Sequence, residues 1–286
     1  MKKILIISVL LAVTTGLFGQ TRNQLADKKQ VEDFFKSKTM VVLDADPFSG
    51  FNLAVTDAVK KYWTITPFEI ISYEEFESLR SNPELSFIWQ PKVKQKKDTR
   101  NVHYVYMSIV MGGKAKDPYS MPILADIPIA YTGVSEDDYV EKLPLMIRFA
   151  QTHINNLRTA ANPKRANNLK NYSNDSHLLK DMVLLVQESD LSAEVNTLEK
   201  IRTVYSGEVK IVDAEEIEKA VEEKAQNIAV LHQIGPAPNE SDGRSYRQIY
   251  GTADAKLYYF NHQPIKERRP AGMLARDFRL ISGKWF

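Results

Sequence analysis

Two aspartates one residue apart, Asp44 and Asp46, close an apolar run that begins at Thr39. The carboxyl end of a buried strand is where open α/β sheets place ligands, so acids there could hold a divalent cation or supply a nucleophile. The competing assignment is a capped or solvated turn, because Asp is a common turn residue. Just beyond, Ser49 and Gly50 lead into a helical segment, whose free backbone amides could take an anion. One glycine, without Gly-rich spacing or a phosphate-loop lysine, suits an ordinary strand-to-helix turn equally well. Asp44, Asp46, Ser49 and Gly50 are the ligand or metal candidates of the sequence.

A basic cluster offers a second kind of chemistry. Lys92, Lys94, Lys96, Lys97 and Arg100 fall in one connection ahead of Tyr104 and Tyr106, a composition that could meet an anionic polymer or a lipid headgroup. Charge runs in connections also simply face water, and these tyrosines, with Tyr258, Tyr259 and Phe260, suit sheet packing by their β-propensity. The five histidines, His103, His153, His177, His232 and His262, are dispersed, with no pair at metal-ligand spacing. His232 closes an apolar run and reads as a packed or rim histidine. There is no cysteine, which excludes disulfides and thiolate chemistry. No catalytic residue, metal site or cofactor is assigned.

The elements that must position these residues occur twice. VVLDAD, LAVTDAVKKYW, FEIISYEEFESL and LSFIW, within Met40 to Trp89, return about 142 positions later as VLLVQE, VNTLEKIRTVY, VKIVDAEEIEKA and NIAVLH. Each series reads as strand, helix, strand, helix, strand with short connections, hence a parallel core. On this alignment Gln187 and Glu188 replace the aspartate pair. Val102 to Met111 and Met121 to Tyr131 extend the first sheet as a hairpin, and Tyr246 to Tyr250 with Lys256 to Phe260 extend the second. A short amphipathic helix carrying Val31, Phe34 and Phe35 precedes the first strand. Asn52 caps the next helix, with Leu53 on its packed face, and Ser192 caps its counterpart. Ser135 opens a long helix to about Ala160, with Pro144 as a kink or the true start, and Asn162 to Ser176 reads as an aperiodic linker. Ala271 to Ile281 is a helix or a strand. The fold class is therefore α/β, a tandem βαβαβ-plus-hairpin duplication. Residues 21–134 and 179–286 form two domains, joined by a helix and linker over 135–178.

Lys2 and Lys3 followed by an apolar run from Ile4 to Phe18 read as a secretory signal peptide, residues 1–20. No later segment approaches the ~18 uninterrupted apolar residues of a membrane span. Removal of the signal leaves 36 basic against 36 acidic residues, and a formally neutral chain gives no overall case for nucleic acid.

Two resemblances follow from these residues. The apolar strand ending in Asp44 and Asp46 resembles the first motif of haloacid-dehalogenase-like phosphotransferases, which implies Asp44 as nucleophile and Asp46 as acid/base. Pro47 and Phe48 depart from that motif. FEIISYEEFESL and VKIVDAEEIEKA, with the strands LSFIW and NIAVLH after them, resemble the amino-terminal (anticodon-binding-like) α/β modules of the TolB group and its relatives in curli-type export. That resemblance implies an exported, non-enzymatic module docking onto an envelope or secreted protein. The expected function is accordingly a periplasmic or secreted structural or protein-binding module. The alternatives are a small-ligand-binding protein with its site between the domains and a phosphotransferase-like enzyme using Asp44 and Asp46.

Overall fold

The computed structural model describes residues 25–94, 103–236 and 243–283; the expected signal peptide lies outside them. Short helix α1 (Lys28–Phe34) precedes strand β1 (Lys38–Val42), which is followed by α2 (Gly50–Tyr62), β2 (Phe68–Ile71), α3 (Tyr73–Leu79) and β3 (Leu85–Trp89). β1 pairs in parallel with both β2 and β3, so the three apolar runs form the expected parallel core. Lys92–Val93 forms a short strand, β4, where the sequence suggested only a charged loop. It continues β3 along the same edge of β5 (Tyr104–Met111): Trp89 pairs with Ser108 and Lys92 with Val105, in one register across Pro91. Proline has no N–H to give the ladder, but its carbonyl accepts from Tyr106 N at 3.1 Å. β6 (Ile123–Tyr131) pairs antiparallel with the other edge of β5. The chain leaves β5 through Gly112, where a Cβ would lie 2.1 Å from the Asn82 carbonyl oxygen, so that only glycine fits.

The second unit repeats this plan. Strands β7 (Val183–Val186), β8 (Glu208–Ile211), β9 (Ile228–Ile234), β10 (Arg244–Gly251) and β11 (Leu257–Pro264) lie in the order β11-β10-β9-β7-β8, with β7 parallel to its neighbours and β10 and β11 antiparallel. Helices cover both faces of each sheet. On the first, Phe51, Val55 and Val59 of α2 share a core with Val41 and Ile88, while Phe76 of α3 packs with Met40, Val42 and Phe87 on the opposite face. On the second, Ile201 of a short helix (Leu198–Arg202) packs with Leu184, Val186 and Leu231. Ile217 and Val221 of a nine-residue helix (Ala214–Glu222) share the opposite core with Leu185 and Val230. That core is continuous with the α2 side of the first sheet, so one apolar interior spans both units. Across it Tyr106 and Tyr246, matching residues of the two hairpins, bring their hydroxyls to 2.9 Å.

Between the units the structure corrects several expectations. The segment from Ser135 opens as two 3-10 turns, Glu136–Asp138 and Val140–Lys142, and the α-helix begins only at Leu143, with Pro144 in its first turn. Proline fits a first turn because the amide it lacks has no partner there. This helix, α4 (Leu143–Thr159), is no exposed connector. Gln151 accepts from Thr64 N at 2.7 Å and donates to Tyr62 O at 2.8 Å, while Arg148 donates to Thr252 O at 2.8 Å in the second unit. The Asn-rich stretch is ordered as α5 (Pro163–Ala166) and a 3-10 run, Leu169–Asp181, started by the Asn162 and Asn168 side chains.

Leu198–Arg202 is then α6, capped by Thr197; Ser192 is buried and caps nothing. Ala214–Glu222 is α7, and Ala275–Ile281 is a helix, α8. In the first unit Ser49 occupies the cap position, Asn52 lies inside α2, and Leu53 is 68% exposed. The pairing also shifts the alignment of the copies. Val41 stands beside Ile70 and Val186 beside Ile211, and the FEIIS and VKIVD segments equate the two isoleucines. Asp44 therefore corresponds to Ser189, not to Gln187 or Glu188. Apolar spacing missed this because the 13-residue α2 is matched by a five-residue α6. Among the described residues no helix is long and apolar enough to cross a membrane.

Candidate functional site

The carboxyl edge of the first sheet holds the candidates read from the sequence, and the chain itself engages them. Asp44 Oδ1 accepts from Asp46 N at 3.0 Å, its Oδ2 lies 3.3 Å from Lys92 Nζ, and Asp46 Oδ1 accepts from Phe48 N at 2.9 Å. Asn52 ties this turn down, accepting from Asp44 N at 2.7 Å and donating to the carbonyls of Asp44 and Asp46. Ser49 and Gly50 do meet an anion, but it is the Glu136 carboxylate: Ser49 Oγ donates to Oε1 at 2.7 Å and Gly50 N to Oε2 at 2.5 Å. A side-chain carboxylate thus sits where the helix amino terminus favours negative charge.

Of the basic cluster, Lys92 pairs with Asp44 as above. Lys94 lines a separate cavity of about 350 Å3 together with Arg244, Tyr246 and His262. Lys96, Lys97 and Arg100 lie outside the described residues. Among the described residues no group of three or more His, Cys, Asp or Glu is placed to hold a metal ion.

The carboxyl edge of the second sheet is built differently. The two 3-10 turns that deliver Glu136 to α2 go on to deliver Lys142 to the end of β7. There its Nζ donates to Gln187 Oε1 at 3.0 Å and to the Asp138 carbonyl at 3.2 Å, and it ion-pairs with Glu141 at 2.9 Å. Lys142 is 1% exposed, and these neighbours occupy its ammonium. The Glu141 contact is misaligned for a hydrogen bond, which leaves both Glu141 oxygens without one.

Beside this ammonium lie Asp190, in the loop after β7, and His232, near the end of β9. His232 is 2% exposed, and its Nε2 stands 2.9 Å from the Ile129 carbonyl oxygen of β6 in the first unit. A carbonyl only accepts, so Nε2 carries the proton and Nδ1 presents a bare lone pair. Nδ1 has no partner among the described residues. Burial, and next the Lys142 charge, hold this imidazole well below the usual histidine range, so it is neutral. Asp190 is also buried, and its Oδ2 is likewise without a partner. Burial pushes its carboxyl up to about 7; Lys142 opposes the rise, and Glu141 and Asp138 add to it.

Both groups line a half-open cavity of about 230 Å3, whose walls include Tyr131 and Val134 from the first unit and Tyr139. Tyr139 keeps its proton, because burial, chiefly, and the nearby Glu136 raise its pKa. The chain matches no protein-family model, no curated protein and no solved structure. The site is therefore read from its own geometry.

The sequence marks His232 only as a packed or rim histidine and does not single out Asp190 or Lys142. One signal was available for His232: it ends NIAVLH in the place where Trp89 ends LSFIW, a polar ring in a slot that the other copy fills with an apolar one. Asp190 and Lys142 carry no comparable mark.

Proposed function

We propose that the protein binds a small polar ligand between its two α/β units, at the carboxyl edge of the second sheet. One observation carries this reading: two buried polar groups, Asp190 and His232, line the same cavity, and Asp190 Oδ2 and His232 Nδ1 have no hydrogen-bond partner among the described residues. Burying a polar atom without a partner costs on the order of 1–3 kcal/mol, and a ligand supplying that partner recovers the cost. Position agrees, since α/β sheets bind ligands beyond their strands' carboxyl ends and inter-domain clefts are common ligand sites. The amino-terminal segment adds the proposal that this binding protein is exported. Cell fractionation tests that part, the expected product lying outside the cytoplasm and starting near residue 21.

A broad screen of small polar compounds, read by the ring resonances of His232, tests the site. The reading expects compounds that shift those resonances and raise the melting temperature. A screen in which nothing moves them refutes it. A second reading, docking to a protein partner, draws on Phe48 and Leu53, which are 93% and 68% exposed at the start of α2. If it holds, replacing both with serine abolishes partner capture from an envelope extract and leaves the His232 resonances unchanged.

A further inference from the structure

Resting on that reading, we infer that the ligand is an uncharged, hydroxyl-bearing molecule of about monosaccharide size, held by His232 Nδ1, the Asp190 carboxyl and the Gln187 amide. The argument begins with what the cavity offers. His232 Nδ1 is a bare acceptor, because its ring proton is committed to the Ile129 carbonyl. Asp190 Oδ2 is a second polar atom without a partner among the described residues. Gln187 also lines the cavity, and Lys142 holds its Oε1, which leaves the amide hydrogens as donors. Acceptors and a donor around one small space match a hydroxyl group, which both gives and takes a hydrogen bond.

Charge narrows the class further. An anion would need a free cation; the described lining holds no Lys or Arg, and the nearby Lys142 already serves Gln187, Glu141 and the Asp138 carbonyl, with Asp190 near it. A cation would find the Asp138 carboxylate in the same lining but would have to share the field of the Lys142 ammonium, which reaches both His232 and Asp190. The volume of about 230 Å3 lies below the ~300 Å3 at which drug-sized pockets begin, and so suits one ring or a short polyol. The rings of Tyr131 and Tyr139 supply apolar wall for the ligand's carbon-bound hydrogens.

Calorimetry and His232 ring resonances on the full mature chain test this with glucose, myo-inositol and glycerol as neutral probes and glucosamine and glucuronate as charged counterparts. The expected result is binding of at least one neutral probe, at least tenfold weaker binding of the charged counterparts, and at least a tenfold loss in Asp190→Asn and in His232→Phe. Asp190→Asn is nearly isosteric and keeps the test open if the histidine variant does not fold. Neutral binding of equal strength in the folded variants overturns the assigned contacts. If the charged probes, or only charged compounds from the broad screen, shift His232, the ligand class is wrong and the ligand site stands. If nothing shifts it, both fall.

Discussion

Replacing Asp190 with asparagine changes one atom and should reshape the pH dependence of stability. The Asp190 carboxyl moves from its ordinary value of 3.8 to about 7 in the folded chain, chiefly because burial disfavours the charge. At ~1.36 kcal/mol per pH unit this displacement corresponds to about 4 kcal/mol. The direction follows from proton binding. Below about pH 4 both folded and unfolded chains carry the proton, and the aspartate costs nothing. Between about pH 4 and 7 the unfolded chain has released it while the folded chain retains it. Folding then takes up a proton, and stability falls by about 1.4 kcal/mol per pH unit. Above about pH 7 both states are ionised and the full deficit persists. Asparagine has no proton to exchange, so the stability of Asp190→Asn relative to the parent should climb by about 4 kcal/mol between pH 4 and pH 8. Urea unfolding of both proteins at pH 4, 5, 6, 7 and 8 measures this difference, in which the titration of groups remote from Asp190 cancels. Parallel profiles across that range would show that Asp190 ionises freely in the folded chain, and the account of the cavity as a place hostile to charge would be wrong.

Three further outcomes are expected. Glu136→Ala removes the carboxylate from Ser49 Oγ and Gly50 N. It should cost about 1–2 kcal/mol in urea unfolding, and sulfate should then stabilise the variant more than the parent, because the vacated amides suit an anion. Gly112→Ala would place a methyl 2.1 Å from the Asn82 carbonyl oxygen and 2.8 Å from that of Leu85. A loss of roughly 3 kcal/mol or more, on the scale of overpacked backbone, should lower the melting temperature followed by circular dichroism. Arg247 and Asp277 form an ion pair at 3.2 Å with side chains 0% and 1% exposed. Arg247→Met leaves the buried Asp277 carboxylate without its counter-ion, with only the Tyr259, Asn261 and Leu274 N donors remaining among the described residues, and should cost about 3–5 kcal/mol in denaturant unfolding.

Much of the fold was legible because it rests on local rules. The β-branched runs around Val41 and Val186 form buried parallel strands, and FEIIS and VKIVD each end in a residue, Ser72 or Asp213, that caps the next helix. The errors fall where a local rule was satisfied in another way. Ser135 does cap, accepting from Asp137 N, but what it caps is a 3-10 turn, because the chain must carry Glu136 to α2 and Lys142 to β7 before a helix can run. The asparagines of the supposed linker start helical turns instead of solvating a loop. The site was the least legible part. Periodicity sees His232 only as the end of an apolar run, whereas its chemistry is set by Ile129, 103 positions earlier and in the other unit. Glu136 reaches Ser49 across a comparable gap of 87 positions. Acids near a strand end were visible; which backbone amide or ammonium each would meet was decided by packing.

The stretch from Glu136 to Lys142 joins the two carboxyl edges by a short covalent path. Its first residue is anchored on α2 and its last on Gln187, with no more than two 3-10 turns between. If the proposed ligand tightens the Gln187–Lys142 end and that change reaches Glu136, linkage makes the effect reciprocal: weakening Glu136's hold on α2 then alters ligand affinity by the same free energy. On the proposed reading, a substitution outside the cavity at Ser49 or Glu136, or an anion that competes for the start of α2, then becomes the test of whether the two edges communicate.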